Sequence, residues 1–276
     1  MGLTDFLGYS FIQRGFIAGS FIAILCASLG VLLVLRHLSL IGDGLAHVTF
    51  GSVAIGLFLR LSPLYVSIPV VMASAVGILK LTGRAKVYGD SAIGMVSALG
   101  IAGGILIASL AGGFNVDLLS YLFGNILAIS SADVYISITL TLVVLGVVVL
   151  FYHELLSVSF DEEFAETTGI DTEKINVLLV LLTAVTVVLA MKVVGIMLTS
   201  ALMIIPGITA FQIAKGFKNS MVAASLMGVL SVAGGICLAF FLNLPTGATI
   251  VVMNFVFFLA ALVWKNLISR LFRKPA

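Results

Sequence analysis

The chain has 276 residues, 61% of them hydrophobic and 9% charged, with a formal net charge of +2 and a mean hydropathy of +1.28. A water-soluble domain carries about 25% charged residues, because its surface must be hydrated; this composition excludes one and directs the surface toward lipid. The net charge itself says little about partners; no nucleic acid is expected as one.

Backbone groups in hydrocarbon must be satisfied within a helix or a closed barrel. Barrel strands alternate apolar and polar residues, whereas stretches such as LTLVVLGVVVL at 140–150 do not. The fold class is therefore all-α, a polytopic membrane protein. A spanning helix needs about 20 mostly apolar residues, and nine segments qualify, over roughly 15–35, 44–60, 63–81, 91–111, 132–152, 175–191, 195–214, 219–242 and 246–268. The break near Lys192 is the weakest, so eight spans stand as the alternative count. The first ten residues hold no basic region and residues 16–35 make a full span, so no cleavable signal peptide is expected. Cys26 and Cys237 fall inside apolar runs and read as small buried hydrophobes without a disulfide. The whole chain, 1–276, reads as a single transmembrane domain.

Lys and Arg set the orientation. Arg36 lies in the first connection, Lys80, Arg84 and Lys86 in the third, and Lys215 and Lys218 in the seventh, while Lys265, Arg270, Arg273 and Lys274 crowd the tail. The even-numbered connections hold only Arg60 and Lys192. By the positive-inside rule the N-terminus is outside and the C-terminus cytoplasmic. The fourth connection, 112–131, contains an apolar stretch too short to span and reads as re-entrant or interfacial. The fifth, 152–174, is the one sizeable polar stretch on the cytoplasmic side.

Common enzyme motifs are missing. There is no G-x-x-x-x-G-K-[ST] phosphate loop and no G-x-S-x-G, and His153-Glu154 lacks the second histidine of H-E-x-x-H because position 157 is Ser. Asp43 and His47, four residues apart at the start of the second span, share one helical face. Acidic and imidazole side chains inside a membrane are costly and usually face a pathway or a partner. Together they offer one oxygen and one nitrogen, a set suited to Mn²⁺, Fe²⁺ or Zn²⁺. The plainer alternative is that Asp43 caps the helix and His47 bonds to a neighbouring helix. Two ligands do not close a site, so others must come from elsewhere.

In the seventh span Pro206 frees a backbone carbonyl one turn earlier, and Thr199, Ser200 and Met203 add hydroxyl and thioether groups. This stretch is a candidate pathway lining, with a packed proline kink as the alternative. In the fifth connection, Asp161, Glu162 and Glu163 favour a helix start and Gly169 a helix end. Phe160 and Phe164, one turn apart, would form an apolar ridge on that acidic helix and suggest a docking surface. The carboxylates would steer the docking and individually matter little.

Four stretches in order, LSLIGDGLAH at 38–47, SFDEEFAETTGI at 159–170, VGIMLTSALMIIPGITA at 194–210 and LPTGATIVV at 244–252, resemble the integral-membrane permeases of zinc- and manganese-type metal-ion ABC importers. The resemblance spans roughly residues 16–262, and this chain has Phe50-Gly51-Ser52 where those permeases commonly have a proline. It implies a cobalamin-type permease fold and a pair of permease copies forming a homodimer in a prokaryotic cell membrane. It also implies a cytoplasmic ABC ATPase dimer that binds the ATP and an extracytoplasmic metal-binding protein. No cofactor would be held permanently; the divalent metal is cargo. Asp43 and His47 fall on the D-x-x-x-H motif that lines the translocation route. Phe160, Asp161, Glu163, Phe164 and Ala165 fall on the F-D-x-E-F-A motif of the loop that contacts the ATPase, a contact taken here to include Glu162, Glu166, Gly169 and Ile170. The rival readings are an ion-coupled secondary carrier with Asp43 as coupling acid and an intramembrane metalloenzyme. The latter is hindered by a total of three histidines, of which His37 and His153 flank spans.

Overall fold

A computed structural model of the protein describes residues 8–83, 85–112 and 129–271. The 112–131 connection therefore falls almost wholly outside the described residues. The helices are α1 (Ser10–Leu35), α2 (Ile41–Phe58), α3 (Pro63–Gly83), α4 (Gly89–Leu110), α5 (Ser131–Leu150), α6 (Tyr152–Phe160), α7 (Glu162–Thr167), α8 (Thr172–Val194), α9 (Ile196–Ile213), α10 (Phe217–Leu242) and α11 (Thr246–Leu271). Among the described residues, nine of these are long and apolar enough to cross a membrane, which decides between the two counts. The weak break near Lys192 is real: α8 and α9 meet at Gly195 alone, with φ +85°. That left-handed backbone favours glycine, so one residue turns the chain between two spans.

The bundle is sorted by burial. α1 and α2 are largely enclosed, while α3, α4 and α11 keep most of their surface open. α1 lies against α5, α9 and α10, and α2 against α3 and α4. Large apolar side chains on the outside, such as Leu99, Leu106, Leu110, Leu142 and Val149, are ordinary for a lipid-facing surface, since lipid gives them no reason to hide. Close packing in lipid relies on small residues instead. At Gly30 of α1, an added Cβ would lie 1.8 Å from the Met203 carbonyl oxygen of α9, so the two backbones touch directly.

Polar links fasten the helices. The Ser52 hydroxyl of α2 donates to Ser67 of α3 at 2.7 Å, and Thr141 of α5 reaches the Phe21 carbonyl of α1 at 3.1 Å. At the start of α5, Ser130 and Asp133 form a capping box. The Asp133 carboxylate also accepts from Lys192 Nζ of α8 at 2.6 Å, and Arg14 donates to the nearby Ile129 carbonyl at 3.1 Å. Lys192, an isolated charge in an apolar run, thus has the partner that its position requires. Cys26 is buried and Cys237 half-buried, both as free thiols.

Candidate functional site

α2 starts at Ile41, earlier than its hydropathy indicates, and its N-cap is Leu40 with no side-chain cap bond. Asp43 therefore does not cap the helix, although its carboxylate lies in the first turn, where the helix dipole favours it. One turn on, His47 Nε2 stands 3.6 Å from Asp43 Oδ2. Across residues 41–54 every residue is buried except these two, whose side chains are 45% and 29% exposed for Asp43 and His47. Over its first fourteen residues this spanning helix opens only at its carboxylate and its imidazole.

α9 comes up against this turn. Ser200, whose hydroxyl donates to the Ile196 carbonyl of its own helix at 3.3 Å, lies beside the Asp43 carboxylate, and Met203 Sδ occupies the space beside Gly42, 2.5 Å from where a Cβ there would sit. The structure thus brings Ser200 and Met203 to the Asp43 turn. Thr199 is buried, as Ser200 and Met203 are, and its hydroxyl donates to the Gly195 carbonyl of its own helix at 2.7 Å. Pro206 is also buried, within a helix that runs unbroken from Ile196 to Ile213. Among the described residues no group of three or more His, Cys, Asp or Glu side chains gathers in one place.

The acidic segment differs from the expected single helix. Asp161 is extended (φ −152°) and separates α6 from α7. Its carboxylate accepts from the Phe164 amide at 2.9 Å, a true N-cap. Phe160 therefore ends α6 while Phe164 lies in α7, and the two do not form a ridge on one helix. Both are exposed, and Phe160 meets the edge of Phe217 with ring centroids 6.4 Å apart. Ala165 is the buried residue of α7, Glu163 and Glu166 are exposed, Gly169 ends the turn with φ +89°, and Ile170 is half-buried against the core.

Glu162 is not the peripheral charge expected of it. Its carboxylate accepts from Arg36 Nη2 at 2.6 Å and from Asn176 Nδ2 at 2.6 Å, and Arg36 also donates to Asn176 Oδ1. Burial pushes the Arg36 guanidinium below its ordinary range, and the Glu162 charge acts in the opposite direction. Arg36 and Asn176 were missed in sequence reading. Arg36 carried a faint signal as a charge directly after a span, and Asn176 carried none.

Nine candidate spans among the described residues, an acidic-imidazole pair opening from a buried one, and two short helices between the fifth and sixth describe a polytopic membrane protein. The model of the ABC 3 transport family matches residues 8–265, and the chain belongs to that family. It is similar to the manganese transport system membrane protein MntC of Listeria monocytogenes, with 33% identity over 261 residues, 94% of this chain and 93% of that protein. It is also similar to the high-affinity zinc uptake system membrane protein ZnuB of Haemophilus influenzae, 31% identical over 247 residues, 89% of this chain and 94% of that one. Among solved structures, PsaBC from Streptococcus pneumoniae in complex with Fab superposes with a TM-score of 0.84 at 29% identity, covering 94% of this chain and 95% of that chain. A structure assigned to the metal-chelate type ABC transporters, in an inward-facing conformation, shares the fold at a TM-score of 0.72 and 14% identity.

Proposed function

We propose that this chain is the membrane permease of an ATP-driven importer for a divalent transition metal, Mn²⁺, Zn²⁺ or Fe²⁺, in a prokaryotic plasma membrane. The observation that carries the reading is the Asp43/His47 pair, open on a helix whose neighbouring residues are all buried. Two ligands each about 2.1 Å from one ion at a tetrahedral angle stand about 3.4 Å apart, close to the 3.6 Å between Nε2 and Oδ2. Ser200 and Met203 flank the same turn and complete the lining from α9. The openness of the pair also suits a homodimer, in which a second copy contributes the remaining ligands. The names of the MntC and ZnuB relatives support the cargo class.

The other parts follow from the same reading. The Lys and Arg distribution supports an external N-terminus and a cytoplasmic C-terminus, which puts α6, α7, Arg36 and Asn176 on the cytoplasmic side. There α7, with Phe164 exposed beside Glu163 and Glu166, meets a separate ABC ATPase dimer that hydrolyses ATP. An extracytoplasmic metal-binding protein delivers the ion to the opposite end. The permease holds no resident cofactor, and the metal is its substrate.

The test is metal accumulation in cells expressing the complete system. Asp43→Asn and His47→Ala should each abolish uptake while the permease still inserts and still co-purifies with its ATPase. Wild-type uptake in both variants would overturn the assignment.

A further inference from the structure

We propose that Arg36 and Glu162 form a positioning link that passes movement of α7 to the Asp43/His47 turn, with Asn176 anchoring it on α8. The inference rests on reading α7 as the ATPase-facing helix.

The non-covalent half of the link is a closed triangle. Both Glu162 oxygens are used, one by Arg36 and one by Asn176, each at 2.6 Å, and Arg36 bonds to Asn176 as well. Charge-assisted bonds of this length are the strong ones. Among the described residues, Glu162 makes all the side-chain hydrogen bonds from α7 to the spanning helices, since those of Thr167 and Thr168 stay within the segment. The Arg36 side chain is only 11% exposed, against 46% for Glu162. A guanidinium so enclosed depends on its partner, so a displaced α7 must either take Arg36 with it or leave that charge unpaired.

The covalent half is short and taut. Arg36 caps α1, and α2 begins at Ile41. Backbone bonds run through the connection: His37 to Val34 at 3.2 Å, Leu38 to Leu33 at 2.9 Å, Ile41 to Leu38 at 3.0 Å and Gly44 to Leu40 at 3.0 Å. His37 is in the left-handed region at φ +56°, uncommon for a residue with a side chain, so the turn is tightly shaped with little slack. Asp43 lies in the first turn of α2 that this connection leads into. A pull on Arg36 therefore reaches the Asp43 carboxylate through hydrogen-bonded backbone, with no flexible linker to absorb it.

The experiment uses the complete permease–ATPase complex in proteoliposomes and measures metal ions taken up per ATP hydrolysed, alongside ATPase co-purification and equilibrium metal binding to the purified permease. Arg36→Gln and Glu162→Gln should each retain co-purification and metal affinity. Uptake per ATP should fall severalfold. The charge-swapped pair, Arg36→Glu with Glu162→Arg, should restore much of the ratio. Should Arg36→Gln fail to accumulate in the membrane, Glu162→Gln carries the test, because its carboxamide keeps the size of the side chain. A wild-type ratio in both single variants would overturn the link. Loss of ATPase binding in the single variants, unrelieved by the swap, would also overturn it, by making the triangle a staple that only holds α7 in place. Full assembly and full coupling in Phe164→Ala would instead overturn the underlying reading of α7.

Discussion

Replacing Gly30 by Ala probes the contact that seats α9 against the Asp43 turn. The new Cβ would lie 1.8 Å from the Met203 oxygen and 2.8 Å from its carbonyl carbon, whereas real Cβ atoms essentially never come within 3.0 Å of such neighbours. The obstacle is backbone, so no side-chain rotation relieves it, and α1 and α9 must part by about 1.2 Å. Overpacking of this kind costs about 1–3 kcal/mol, and each kcal/mol lowers Tm by about 2–4 °C in a protein of roughly this size. The move also carries Met203 Sδ away from Gly42, and a misplacement of about 1 Å beside a reacting or binding group can cost about 100-fold. Thermal unfolding of the detergent-purified protein, followed by circular dichroism, and uptake in cells should both fall. Gly146→Ala on α5 is the control, because nothing lies within 4 Å of its added Cβ, and Ala is the better helix former by about 1 kcal/mol. A Gly30→Ala protein with wild-type melting and uptake would refute the backbone contact between α1 and α9.

Two further outcomes concern the ends of the bundle. With Cys26 and Cys237 replaced, single cysteines at Leu61 and Glu166, both exposed, can be treated with an impermeant thiol reagent on intact cells; only the Leu61 site should react, and the reverse would invert the proposed orientation. Phe164→Ala should loosen ATPase co-purification by up to the roughly 1.5–3 kcal/mol that burying one such side chain contributes, whereas Glu163→Gln, exposed and without a side-chain hydrogen bond among the described residues, should change it little; equal effects would argue against Phe164 as the apolar anchor.

Much of the architecture was legible because hydropathy is a local property. A run such as 140–150 announces a lipid-crossing helix without knowledge of its neighbours, and even the doubtful break at Lys192 proved to be the one-residue turn at Gly195. The Asp43/His47 pair was legible for a similar reason, since i and i+4 share a face in any helix. The division at Asp161 was half legible. The acidic run marked a helix start, but an N-cap residue lies outside its helix, which puts Phe160 on the preceding one. The Arg36–Glu162–Asn176 triangle was not legible, because its members belong to three elements and meet only through tertiary packing.

The most direct measurement is metal uptake into sealed proteoliposomes containing the permease alone, the permease with its ATPase, and the permease with its ATPase and external metal-binding protein. The account expects accumulation only where the ATPase, ATP and binding protein are all present, and its loss with Asp43→Asn. Accumulation by the permease alone, driven by an ion gradient and independent of ATP, would contradict it.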